Sequence, residues 1–302
     1  MRTARAYVPG HVTGLFRIYD THPDPLHRGS RGAGFSITAG TLTTVTVTDE
    51  QNSVITTTYN GEIIEAVVTE TVVAKLSEAY NMTLSVEVTH QSDLPIGVGF
   101  GASGAGALGT ALSLATIVDP NLDYTSAAQY AHHAEVVNHA GLGDVIAQTV
   151  GGLEVRTKAG APGLGEVIRI SHPDDLIVVL AGSTGLNTKD VLTDPKWREA
   201  INLAGEDLLD DLAKQLSFEH ICEVSKLFAA TIDLETPRII PALATLHKNN
   251  LALSSQVMLG DSVFCICKQS NVEHAKSILR EYWDEDEIME TTISSAGGQV
   301  LQ

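Results

Sequence analysis

The segment Pro95-Ile-Gly97-Val-Gly99-Phe-Gly101-Ala-Ser103-Gly104-Ala-Gly106-Ala-Leu-Gly109 places six glycines within fifteen residues. It follows an alternating, strand-like run at 84–89 and leads into residues 105–118, which are rich in Ala and Leu and carry no charge. Glycine reaches positive φ and lets backbone approach a ligand closely, while a helix start offers unpaired N–H groups and the positive end of its dipole. Strand, glycine turn and helix in this order form an anion cradle. The chain is therefore expected to be a phosphoryl-transfer enzyme.

Between Lys75 and Arg156 there is no Lys or Arg. Phosphates at this turn must then be neutralised by amides, by the helix dipole and by a bound cation, which points to Mg²⁺. The P-loop pattern is missing, because no Lys and hydroxyl residue follow the last glycine. Gly99-x-Gly101-x-x-Gly104 formally matches the dinucleotide fingerprint, which also needs a strand ending in an acid about 20 positions on. Asp119 lies at that distance, but it closes a helical stretch and precedes Pro120 and another helix at 125–138. A nicotinamide-dependent oxidoreductase is thus the remoter alternative. Residues 94–118 are uncharged and long enough for a membrane span, yet their glycines, and the Asp93 and Asp119 flanks, argue against one.

A formal net charge of −18 argues against nucleic acid and anionic membranes as partners. The first 31 residues run against that charge, with Arg2, Arg5, Arg17, Arg28 and Arg31 against Asp20 and Asp24. They are either a surface for a small anionic ligand or scattered solubilising arginines. The three cysteines, Cys222, Cys265 and Cys267, lack zinc spacing, and their odd number argues against a secreted disulfide framework. Cys265 and Cys267 are expected on one face of a buried strand. Pro9, Gly10, His11 and Gly14 interrupt any leader-like apolar run, so no signal peptide is expected and the protein is placed in the cytoplasm.

Strands are expected at 3–8, 34–38, 42–48 and 54–59, with a hairpin turn at Asn60-Gly61 and a helix at 67–80. Strands follow at 153–157, 167–170 and 176–180. Helices then dominate at 197–215, 218–230 and 237–249, with further strands and a helix at 272–282. The change of pattern near 171–175 divides the chain into domains at 1–172 and 173–302. Strands and helices that do not alternate regularly indicate α+β layers, not a doubly wound sheet.

A second constellation is carried by Tyr130-Ala-His132-His133-Ala-Glu135-Val-Val-Asn-His139, where His132, Glu135 and His139 share one face at helical spacing. As a zinc site, as in a zinc hydrolase, that face lacks an assigned third ligand and open position. As part of a kinase site, Glu135 supplies a hard oxygen to Mg²⁺ while His132 faces the substrate. Asp144, after Gly141-Leu-Gly143, is either a helix N-cap or a carboxylate that orients a substrate hydroxyl. Arg156 suits a bidentate clamp on a substrate carboxylate.

Taken in order, Ala6-Tyr-Val-Pro9-Gly10-His11, residues 95–107, Gly141-Leu-Gly-Asp144 through Gly151-Gly152, and Met258-Leu-Gly260-Asp261-Ser262-Val-Phe264 resemble the signature segments of the GHMP small-molecule kinases. The likeness spans nearly the whole chain. Residues 8–14, the run Arg28-Gly-Ser30-Arg31-Gly-Ala-Gly34, and His132-His133-Ala-Glu135 look specifically like the archaeal pantoate kinase family. The resemblance implies ATP- and Mg²⁺-dependent phosphorylation of the primary hydroxyl of pantoate, a step toward coenzyme A. Related kinases acting on mevalonate or homoserine are the neighbouring alternative.

It also implies a two-domain α+β fold, with a left-handed-crossover, ribosomal-protein-like core in the first half, a ferredoxin-like second half, and a homodimer. Residue by residue, it assigns the nucleotide to Pro95, Gly97, Gly99, Gly101, Ala102, Ser103, Gly104 and Ala105. Mg²⁺ falls to Ser103 and Glu135, the hydroxyl to Asp144, and pantoate to Ser30, His132, Arg156 and Thr188. The pattern departs at Ala102-Ser103, where two serines are usual, at Asp261, where glycine is common, and at His11, where Arg is frequent. No Lys lies near Asp144 in sequence, so Arg5 or Arg156 is the expected substitute.

Overall fold

The computed structural model describes residues 1–48, 54–185 and 188–301. It begins with a long antiparallel hairpin of β1 (Arg2–Tyr19) and β2 (Gly29–Thr48). Both strands outrun the short segments expected at 3–8, 34–38 and 42–48. Their register shifts between Pro9 and Gly10 and again between Thr13 and Leu15, so the residues that looked like breakers sit at bulges through which pairing continues.

β3 (Ile55–Tyr59) and β4 (Glu62–Ile63) form a small hairpin around Asn60-Gly61, both at positive φ. Next come α1 (Val67–Ala79), β5 (Ser85–Ser92), α2 (Ala102–Val118), α3 (Tyr124–Val137), α4 (Asp144–Val150), β6 (Leu153–Lys158) and β7 (Glu166–Ile170). Of this sheet's strands, β3 and β5 are parallel and the remaining pairs are antiparallel. α2 is uncharged because it is enclosed: Gly104 through Ala115 are all buried, so no face is left for a charged side chain. No helix among the described residues is long and apolar enough to cross a membrane.

The second half contains β8 (Leu176–Ser183), α5 (Thr188–Thr193), α6 (Pro195–Leu212), α7 (Phe218–Ile232), α8 (Ile239–Lys248), β9 (Ser254–Gln256), β10 (Asp261–Lys268), α9 (Val272–Leu279) and β11 (Ile288–Thr292). Its antiparallel sheet runs β11-β8-β10-β9, that is fourth, first, third, second in order of occurrence. Helices follow the first and third strands, which is the ferredoxin-like arrangement within an α+β fold. Local chemistry starts its helices: Asp194 accepts from the Lys196 and Trp197 amides ahead of Pro195, and Ser217 accepts from the His220 amide. Cys265 and Cys267 alternate on β10, and both pack in a core with Val263 and Trp283.

The halves are tied together in two ways. β12 (Gln299–Leu301) returns to pair with β1, in the register Arg5↔Leu301 to Tyr7↔Gln299. α6 lies so close to β1 that a Cβ on Gly205 would fall 2.5 Å from the Phe16 carbonyl oxygen.

Candidate active site

A cavity of about 860 Å³ opens over the start of α2. Gly97, Gly99 and Gly101 line it with φ of +81°, +87° and +75°. The helix begins at Ala102, three residues before the expected 105, so Ser103 lies in its first turn. Gly101 caps the helix in the left-handed conformation without a side chain, which leaves the leading N–H groups aimed outward and unobstructed. A Cβ at Gly101 would come within 2.8 Å of the His11 amide nitrogen, which itself donates to the Phe100 carbonyl at 3.0 Å. The second half holds the turn from its other side, with the Ser262 hydroxyl donating to the Val98 carbonyl at 2.7 Å.

On the cavity wall next to this helix start, the Ser103 hydroxyl donates to Glu135 Oε1 at 2.5 Å. Glu135 is 2% exposed, and its Oε2 has no hydrogen-bond partner. Burial, with the Asp144 charge adding to it and Ser103 opposing it, pushes the Glu135 carboxyl up to about 8. Gly141 supplies the space in front: its Cβ position lies 2.3 Å from Glu135 Oε2 and 3.1 Å from Asp144 Oδ2. Two carboxylate oxygens thus face one small gap beside the anion cradle. Serine hydroxyl and carboxylate oxygens are the hard donors that suit Mg²⁺, so these residues fit that ion.

Asp144 starts α4 and is held from behind. His11, fully buried on β1, contacts Asp144 Oδ1 through Nδ1 at 2.8 Å and Glu154 Oε1 through Nε2 at 3.0 Å. Between two carboxylate acceptors both ring nitrogens donate, so the ring is an imidazolium. Burial disfavours that charge, but the hydrogen bonds to Asp144 and Glu154 prevail and hold the imidazole above its usual value. Burial likewise acts to raise the Asp144 carboxyl, while His11 and the Arg156 charge bring it below the ordinary carboxylate range. Arg156 Nη1 donates to the same Glu154 oxygen at 2.6 Å. A Cβ at Gly143 would lie 2.5 Å from Ser30 Oγ and 2.8 Å from Arg156 Nε, so these two cavity residues meet across that glycine.

Thr188, at the start of α5, also lines the cavity, and so does the exposed Lys189. At the far end His90, 2% exposed, meets Thr43 Oγ1 at 2.9 Å and Thr69 Oγ1 at 3.3 Å, and burial lowers it to about 4. Pro95, Ala102 and Gly104 line the wall with the glycines, whereas Ala105 is buried behind it.

Three expectations are corrected. His132 does not reach the cavity: its Nε2 donates to the Arg28 carbonyl at 2.9 Å, and burial lowers the ring to about 4, so it is neutral. The face supposed to unite it with Glu135 and His139 is therefore split, and the described residues contain no group of three or more metal-binding side chains. Asp119 closes α2, as expected, and accepts from the Tyr80 hydroxyl. The arginines of residues 1–31 do not line the cavity. Arg2 donates to the Ile117 carbonyl, Arg17 pairs with Glu206, and Arg28 donates to the His22 and Pro23 carbonyls. Finally, of Arg5 and Arg156 it is Arg156 whose charge acts on Asp144, and the side chain that contacts it is His11.

His11 and Glu154 were the partners that spacing did not single out. A signal exists for Glu154: it stands two residues before Arg156 in the same strand, which puts opposite charges on one face.

Residues 66–152 match the model of the GHMP kinases N terminal domain. The chain is 35% identical over 281 residues to a pantoate kinase of Thermococcus kodakarensis, covering 92% of each chain. It is 33% identical over 274 residues to a pantoate kinase of Methanocaldococcus jannaschii, covering 91% of this chain and 96% of that one. A solved structure described as a phosphotransferase related to the CoA biosynthesis pathway superposes with a TM-score of 0.88 at 32% identity, over 99% of both chains. The fold and the cradle mark a GHMP kinase. Within that class, the chain belongs to the pantoate kinase family.

Proposed function

We propose that the protein transfers the γ-phosphoryl group of ATP to the primary hydroxyl of (R)-pantoate, giving 4-phosphopantoate on the route to coenzyme A. The observation that carries this reading is a single cavity bounded by the glycine turn, the Ser103–Glu135 pair, Asp144, and the Ser30–Arg156 pair. Anion cradle, hard-oxygen donors, hydroxyl acceptor and carboxylate clamp then lie within reach of one small molecule.

In this reading the turn amides from Gly97 to Ala105 hold the phosphates, and Ser103 and Glu135 hold Mg²⁺. Bound there, the ion would supply countercharge to the transferring phosphates. The Arg156 guanidinium takes the pantoate carboxylate, with Ser30 and Thr188 offering hydroxyls to its polar groups. His132 acts at one remove, fastening the chain at Arg28 just before Ser30. The pantoate hydroxyl oxygen bonds to the γ-phosphorus, the bond to the bridging oxygen breaks, and ADP departs. Its proton passes to Asp144 Oδ2, the oxygen not engaged by His11. Asp144 is a weak base because His11 and Arg156 stabilise its charge. Its main task is to orient the hydroxyl, and the proton moves late, as a loose phosphoryl transition state requires.

A cytoplasmic homodimer with domains at 1–172 and 173–302 completes the proposal. Three buried free cysteines fit a reducing compartment, and sedimentation equilibrium tests the dimer. The decisive experiment is a coupled ADP-release assay with Mg·ATP over pantoate, mevalonate, homoserine and related hydroxy acids. Turnover is expected with pantoate. Turnover of another acceptor without pantoate overturns the substrate, and nucleotide binding without any turnover overturns the enzyme.

A further inference from the structure

Two charged residues lie behind the cavity wall without lining it. His11 and Glu154 are each 0% exposed and neither borders the cavity, yet each contacts a residue that does. Isolated buried charges are strongly disfavoured, and a chain keeps them where paired geometry serves a purpose. Here Asp144, His11, Glu154 and Arg156 form a continuous row of alternating charge.

We propose that Glu154 is a positioning residue that couples the two ends of the acceptor site: one of its oxygens holds both Arg156 and His11, and His11 in turn holds Asp144. The inference rests on the roles given above to Asp144 and Arg156. The guanidinium geometry supports it. Glu154 occupies Arg156 Nη1, which turns the Nε–Nη2 edge toward Gly143 and Gly32, where Cβ atoms would fall 2.8 Å from Nε and 2.4 Å from Nη2. Nε is buried and has no partner, so this edge keeps an unspent donor beside the cavity residue Gly143. Through Nε2 of His11, the same Glu154 oxygen fixes the ring whose Nδ1 sets the rotation of Asp144. A shift of Glu154 therefore moves the carboxylate clamp and the hydroxyl acceptor together, whereas a shift of His11 moves only the acceptor.

The test compares Glu154→Gln, His11→Gln and the double variant. Glu154→Gln should lower kcat and raise the pantoate KM, each by about tenfold or more, since small misplacements near the reacting atoms have effects of up to about 100-fold. His11→Gln should lower kcat while the pantoate KM stays within about twofold, because Arg156 keeps its anchor. The kcat losses should not add in the double variant, because both act through one chain of contacts. Affinity for a non-hydrolysable Mg·ATP analogue should stay at the wild-type value throughout, which a general loosening of the fold does not allow.

Wild-type kinetics in folded Glu154→Gln, or additive kcat losses, overturn the coupling. Should Glu154→Gln lack a melting transition, Glu154→Asp substitutes, since its shorter reach must move the same two parameters, and wild-type values there also overturn it. Asp144→Ala and Arg156→Ala run alongside. If Asp144→Ala keeps kcat or Arg156→Ala keeps the pantoate KM, the underlying reading has failed. If both respond and Glu154→Gln does not, only the coupling has.

Discussion

The phosphate side and the acceptor side of the cavity treat buried charge in opposite ways. On the phosphate side Glu135 has a serine hydroxyl on one oxygen and no partner on the other, and burial raises it to about 8. On the acceptor side two carboxylates alternate with two cations, and Asp144 is held below the ordinary range. The first side awaits a countercharge that arrives with the ligand. The second carries its own. Nucleotide capture should therefore depend on the added cation, while acceptor geometry should be preset before anything binds.

The sharpest way to break this contrast is Asp144→Ala. Loss of a positioned acid–base group lowers kcat by about 10²- to 10⁴-fold, while equilibrium binding of a nucleotide analogue should barely change. An unaltered kcat removes Asp144 from the chemistry. Glu135→Gln probes the other side: Mg²⁺-dependent nucleotide affinity should drop about 10- to 100-fold, the range typical of a lost cation-site group. Fluorescence titration with and without magnesium measures it, and an undiminished magnesium effect places the ion elsewhere.

Gly101→Ala strains both the left-handed cap and the contact with the His11 amide. It should reduce stability by about 1–3 kcal/mol, as such backbone positions do, and urea unfolding reads the change. Arg156→Lys keeps the charge but not the planar fork, so the pantoate KM should rise about tenfold with the ATP KM unmoved. A parallel rise in both means that Arg156 serves the fold more than the acceptor.

The smallest effect concerns the neutral rings of His90 and His132. Each binds its proton in the folded state near 4 against an ordinary 6.5. Between those values the unfolded chain binds more protons, so stability present above about 6.5 is lost as pH falls toward 4. Melting temperature against pH should show that acid limb, and His90→Gln should flatten it. An identical limb in the variant assigns the loss to other groups.

The two sides also differed in how far they could be read from sequence. The cradle is local: strand, glycines and helix are contiguous, and backbone conformation is written in residue type. Even there the helix starts three residues before the expected 105, because its cap is Gly101, which has no side chain to mark it. The acceptor side is assembled from His11, Ser30, Asp144 and Arg156, on four separate elements. No period or spacing links them, and only family resemblance suggested that Ser30 and Arg156 belong together. Helical spacing places His132 and Glu135 on one helix, α3, but says nothing about which neighbour each meets. Charge alone left two readings of the arginine-rich start open for a related reason: Arg2 and Arg28 meet carbonyls, and Arg17 meets Tyr19 and Glu206, the latter 189 residues away. β1 and β2 were underestimated because a proline and a glycine mark a bulge as readily as an ending.

The pairing of β12 with β1 joins residues near 300 to residues near 5. A ribosome-bound chain holding only the first half lacks the strand that covers this border of the large sheet, and Ala6 at its centre waits for a partner made almost three hundred residues later. Excising the nucleotide-binding half as an independent module should for that reason yield an open-edged, association-prone fragment, and adding residues 288–301 as a separate peptide is the direct route to rescuing it.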